Sequence, residues 1–159
     1  MNKVLVLKLI ISILLPLGIG AIAGMFTSQS VAGWYVTLNK PSFSPPNWIF
    51  GPVWTLLYIL MGISLFLVWK EAPGPRRNLA LVVFMLQMLL NFAWSFIFFH
   101  QKMIGLALIE IILLWICIAL MLAVFHRVRP LAAYLNIPYL LWVSFAAVLN
   151  GAYYILNRG

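Results

Sequence analysis

Residues 34–71, WYVTLNKPSFSPPNWIFGPVWTLLYILMGISLFLVWKE, decide how this chain is read. A proline-studded, tryptophan-rich connector runs straight into an apolar helix. Pro41, Pro45, Pro46 and Pro52 fix backbone dihedrals and remove N–H donors, so the connector is restricted to a few extended or turned shapes. Trp34, Trp48 and Trp54 bring large flat faces with one polar N–H, a combination suited to the boundary of a bilayer.

Working outward, the whole chain is 65% hydrophobic and 8% charged, against about 25% charged in soluble domains. A spanning helix needs about 20 mostly apolar residues. The charges leave five such runs, near residues 4–26, 48–69, 78–99, 103–125 and 131–156. The expected fold is therefore an all-α membrane protein, one domain over residues 1–159, made of a five-helix bundle. Short loops after spans two, three and four make successive helices antiparallel neighbours. The segment from about Thr27 to Asn47 is too long for a simple connection, and it predicts a lid over one end.

The net charge of +8 would point to nucleic acid in a soluble protein, but its distribution excludes that reading. Lys3, Lys8, Lys70, Arg76, Arg77, Arg127 and Arg129 fall on one side of the five spans, and Lys40, Lys102 and Arg158 on the other. By the positive-inside rule the N-terminus is cytoplasmic and the lid and C-terminus face out. A bacterial cell membrane is expected, with the mitochondrial outer membrane as the alternative. The first segment also has signal-peptide features, Lys3, Lys8 and the small-residue run Ala21-Ile22-Ala23, yet its apolar run is long enough to span.

Polar and aromatic residues recur at helical spacing inside three spans. Trp54 and Tyr58 share a face of the second. Asn91, Trp94, Ser95 and Phe98 form a stripe on the third, and Asn91 needs a partner away from water. Tyr134, Pro138, Trp142, Phe145 and Leu149 follow on the fifth, with Asn150 beside them. One such stripe reads as packing. Three under a proline-rigid lid make an aromatic box for a flat, apolar ligand with a polar edge. Lys40 and Lys102 are placed to meet ligand carboxylates at the rim.

Other features stay open. Gly20 and Gly24 form a Gly-x-x-x-Gly pair that fits either a homodimer contact or packing within the bundle. Glu110 is the one acid inside a span, read either as a protonated or hydrogen-bonded structural group or as a proton-coupling site. Cys117 is alone, which excludes an internal disulfide and a cysteine metal site. His100 and His126 end spans that run in opposite directions, about 30 Å apart, so they cannot share a metal. No phosphate-binding glycine loop, His-Glu-x-x-His or catalytic carboxylate pair is present, which puts binding or transport ahead of enzyme chemistry.

At these residues the chain resembles the translocator protein family (TspO/MBR), also called tryptophan-rich sensory proteins or peripheral-type benzodiazepine receptors. The matching pieces cover nearly the whole chain: Trp34-Tyr35, Lys40-Pro41-Ser42, Pro45-Pro46-Asn47-Trp48, Gly51-Pro52-Val53-Trp54, Leu90-Asn91-Phe92-Ala93-Trp94-Ser95, and Pro138-Tyr139-Leu140 with Trp142 and Leu149-Asn150. Phe43 stands where many relatives have tryptophan. The resemblance implies a five-helix bundle, often a homodimer, that binds porphyrins such as protoporphyrin IX and haem as ligands, and in some members sterols; no obligatory cofactor or metal is implied. By position it implies a ligand site of Trp34, Trp48, Trp54, Tyr58, Asn91, Trp94, Phe98, Trp142, Phe145, Ala146 and Leu149. It also implies a photochemical role for Trp54 and Trp142 if the chain degrades porphyrin in light. Leu149, Tyr153 and Arg158 satisfy the loose sterol-recognition pattern of that family.

Overall fold

The computed structural model describes residues 2–158 and is all-helical among them. We number the helices α1 (Lys3–Ala32), α2 (Phe50–Trp69), α3 (Pro75–Ser95), α4 (Ile104–Val128), α5 (Pro130–Tyr134) and α6 (Ile137–Asn157). Five segments are long and apolar enough to cross a membrane: α1, α2 with its preceding turn, α3 with a following π turn, α4, and α5 with α6.

Two boundaries differ from the sequence expectation. Helix α1 continues to Ala32, so Thr27–Ala32 belong to a helix rather than to the lid. Thr27 donates its hydroxyl to the Ala23 carbonyl, which lets a polar residue continue the helix. The fifth span is broken at Leu135–Asn136, and Pro138 sits in the first turn of α6, where a missing N–H costs nothing. Asn136 ties the break down: its Nδ2 donates to Ser64 Oγ and to the Ala132 carbonyl, while Ser64 donates to that same carbonyl.

The two halves of the bundle pack differently. In the basic half, α1 and α2 meet backbone to backbone at Gly62, where a Cβ would lie 2.7 Å from Ile13 Cα and 2.9 Å from the Ser12 carbonyl oxygen. Phe84 of α3 and Phe125 of α4 stack with ring centroids 6.1 Å apart. Towards the lid, helix α6 lies along α4 rather than along α2, and α2 reaches the fifth span through α5. This leaves the lid half open between α1, α2 and α6.

A lid of residues 33–47 crosses that opening and is pinned at three places. Tyr35 is buried against Phe98, Phe99 and Tyr153, with centroids 5.2 to 6.3 Å away. Ser44 Oγ and Tyr153 Oη lie 3.0 Å apart. Asn157 accepts from the Asn39 N–H at 2.9 Å and donates to the Asn39 carbonyl at 3.0 Å, closing a clasp on the end of α6.

Candidate functional site

Under the lid lies a cavity of about 620 Å³, within the range of small-molecule sites. Helix α2 starts at its mouth, and the spacing of four between Trp54 and Tyr58 puts both rings on its inner face, stacked at 5.5 Å and 27°. Helix α3 supplies Trp94 and Ser95, and the π turn Phe96–His100 supplies Phe98 and Phe99. Helix α6 supplies Trp142, Ala146, Leu149, Asn150 and Tyr153. The α1 wall is mostly small residues, among them Gly20, Ala21 and Gly24, with Leu17 and Val31 the larger exceptions.

Hydrogen bonds fix the floor and one side. Tyr58 donates to Asn91 Oδ1 at 2.8 Å, Asn91 donates to Tyr139 Oη at 3.0 Å, and Tyr139 donates to Gln87 Oε1 at 2.9 Å. Trp94 Nε1 donates to Asn150 Oδ1 at 3.1 Å, and Asn150 Nδ2 donates to the Ile104 carbonyl at 3.0 Å. Trp142 is different. Its Nε1–H is buried and has no partner in the protein. At the lid, Lys40 Nζ sits 5.7 Å from the Tyr35 ring centroid. Burial, then the neighbouring Tyr153, pushes the Tyr35 phenol above its usual range, so it stays neutral beneath that cation.

The residues singled out from sequence separate into groups. Trp54, Tyr58, Trp94, Phe98, Trp142, Ala146 and Leu149 are brought together on the cavity wall. Asn91 is 1% exposed and stands behind the wall, holding the Tyr58 hydroxyl. Phe145 lies outside the wall, between Phe43 of the lid and Trp142. Trp34 packs edge-on to Phe98 at 5.9 Å, behind the lid. Trp48 is 74% exposed and points away from the cavity, because the turn Asn47–Ile49 gives the inward positions to Asn47 and Phe50.

The sterol pattern is split: Leu149 and Tyr153 face into the bundle while Arg158 lies exposed beyond α6, so the three do not share one lipid-facing strip. Tyr134 is on the surface beside His126, and Tyr139 takes the interior place. Tyr139 follows Pro138 directly, and the helix break between α5 and α6 resets the helical phase that had pointed to Tyr134.

The two glycines of the pair have different surroundings within the chain. A Cβ at Gly20 would come 2.2 Å from Tyr58 Cε2, whereas one at Gly24 meets nothing within 4 Å. Gly20 is therefore a seat for the Tyr58 ring and Gly24 an open stretch of wall. Glu110 is buried on α4, and neither carboxyl oxygen has a hydrogen-bond partner. Cys117 Sγ only approaches the Val83 carbonyl, at 3.9 Å. Among the described residues no three His, Cys, Asp or Glu side chains cluster as a metal site.

The comparisons with known proteins agree with this architecture. Residues 12–156 match the model of the TspO/MBR family. The chain is 43% identical over 153 residues to the tryptophan-rich protein TspO of Archaeoglobus fulgidus, covering 96% of this chain and 98% of that protein. It is 41% identical over 128 residues to the human translocator protein, covering 79% and 76% respectively. To the tryptophan-rich sensory protein of Cereibacter sphaeroides it is 33% identical over 117 residues, covering 74% and 72%. With that match spanning most of its length, and with five apolar helices around one lidded cavity, the chain belongs to the TspO/MBR family as a multi-pass membrane protein.

Proposed function

We propose that this protein is a membrane receptor or sensor for porphyrins, such as protoporphyrin IX or haem, held in the cavity beneath the lid. The observation that carries the reading is the character of the wall. Four flat rings, Trp54, Tyr58, Trp94 and Trp142, line one space, and a lysine lies in the lid above. A planar macrocycle with carboxylates on one edge matches that arrangement: rings for its faces and Lys40 for an acid group. The lid would then face out of a bacterial cell, with the seven-cation end in the cytoplasm.

A second reading has its own support. Trp54 and Trp142 both lie on the wall, where an indole can donate an electron to an excited porphyrin, so light-driven porphyrin breakdown is the alternative activity. Titration of the purified protein with protoporphyrin IX in the dark, followed by tryptophan quenching, tests the first reading. Illumination of the complex then separates the two. Saturable binding with a stable absorbance supports the receptor. Loss of porphyrin absorbance that disappears in Trp54→Phe/Trp142→Phe supports the photochemical enzyme. Absence of saturable binding refutes both.

A further inference from the structure

At the opposite end from the lid, a second cavity of about 400 Å³ opens where α3 begins and α4 ends. Three of its wall residues are arginines, Arg76, Arg77 and Arg127, and the others are small or apolar, with no acid among them. The nearby acid, Glu71, is engaged elsewhere, 3.8 Å from Arg129 Nη1. Arg77 is braced by contacts from its Nη1 to the Glu71 carbonyl at 3.4 Å and from its Nη2 to Asn78 Oδ1 at 3.1 Å. Its Nε is buried with no partner at all.

The charges in this cup are arranged against the protein's own interest. Arg76 and Arg77 occupy the first turn of α3, the positive pole of that helix, which has no acidic residue in that turn and no side-chain cap. Cations at that pole are destabilising, and three of them around one cavity repel each other. An anion in the cup reverses both terms. Because the flanking helices Phe50–Trp69 and Ile104–Val128 are membrane spans that end here, the cup lies at the depth of lipid headgroups.

We propose that Arg76, Arg77 and Arg127 form a binding site for a phosphate group, supplied by the headgroup of an anionic phospholipid. The planar guanidinium forks suit phosphate oxygens in pairs, which gives the site a geometry that a diffuse lysine surface lacks. The site is separate from the lidded cavity and stands or falls independently of its ligand.

The test is native mass spectrometry of the detergent-purified full chain with added phosphatidylglycerol, phosphatidylcholine or inorganic phosphate. The expected result is retention of phosphatidylglycerol over phosphatidylcholine. Each arginine near an anionic headgroup contributes about fivefold, so Arg76→Gln/Arg127→Gln, which leaves the braced Arg77 in place, should weaken retention by about 25-fold. Lys3→Gln/Lys70→Gln removes the same charge from the same end outside the cup and should leave retention unchanged. Equal loss in both variants would reduce the effect to diffuse surface charge and overturn the proposal. Equal retention of the two lipids, or displacement of phosphatidylglycerol by inorganic phosphate, would overturn it as well.

Discussion

Replacing Gly20 with alanine adds one methyl group and should disturb the whole cavity floor. The new Cβ would sit 2.2 Å from Tyr58 Cε2 and 2.5 Å from Cδ2, where ordinary contact begins at 3.4 Å. The ring must therefore retreat by about 1.2 Å to restore contact distance. It has little freedom to do so, because one side stacks on Trp54 and its hydroxyl donates to Asn91. Overpacking of this kind costs about 1–3 kcal/mol. If the retreat breaks the Tyr58–Asn91 bond, the buried Asn91 oxygen is stranded at a further cost of about 1–3 kcal/mol. We expect a destabilisation of about 3 kcal/mol in detergent unfolding, together with weaker porphyrin quenching. A double-mutant cycle isolates the cause. In Gly20→Ala/Tyr58→Ala the clash is gone, so the pair should cost no more than Tyr58→Ala alone. Additive costs, or a Gly20→Ala protein as stable as the parent, would refute the claim that Gly20 exists to seat this ring.

Three further substitutions separate the parts of the site. Gly24→Leu projects into open space, so the fold should keep its melting temperature while dark porphyrin titration loses at least tenfold in affinity, by about 1.4 kcal/mol or more of displaced contact. Asn157→Ala removes both side-chain bonds to the Asn39 backbone, and two bonds of about 0.5–1.5 kcal/mol each predict roughly tenfold faster ligand release in stopped-flow quenching. Faster hydrogen exchange over residues 39–46 should accompany it. Glu110→Leu removes two buried oxygens that have no partner, and it should raise stability by about 1 kcal/mol in the same unfolding assay. A loss of stability there would mean that Glu110 has a partner in the membrane.

The sequence carries the spans and most of the wall because both depend on local pattern. Hydropathy alone marks five runs, and spacing of three or four places Trp54 with Tyr58 and Trp94 with Phe98. What it cannot carry is phase across an interruption. The break at Leu135–Asn136 rotates everything after it, so Tyr134 goes to the surface and Tyr139 to the core. Nor does it distinguish two glycines by their neighbours. Backbone meets backbone between α1 and α2 at Gly62, whose sequence surroundings carry no small-residue motif, while the conspicuous pair of Gly20 and Gly24 faces the cavity. Trp48 misleads for a third reason: a short turn before α2 orients it, and turn geometry is not periodic.

These details bear on why the cavity stays open. In water an apolar space of this size would tend to collapse, since burying its walls is favourable. Inside a bilayer lipid tails are as apolar as the side chains, so that drive is absent and helix spacing is set by packing and hydrogen bonds. In the basic half, Gly62 lets two backbones touch, and Ser64, Ala132 and Asn136 bind α2 to the α5–α6 break. In the lid half, struts replace contact. The Tyr58–Asn91–Tyr139–Gln87 chain joins α2, α3 and α6 across the floor, and Trp94–Asn150–Ile104 joins α3, α6 and the start of α4. Each strut uses a long side chain to hold two helices apart as well as together, and each would strand a buried polar atom if the helices closed on the cavity. The opening is thus built into the bonding of the bundle, and the lid is held over it by the Asn157 clasp, the Ser44–Tyr153 contact and the buried Tyr35.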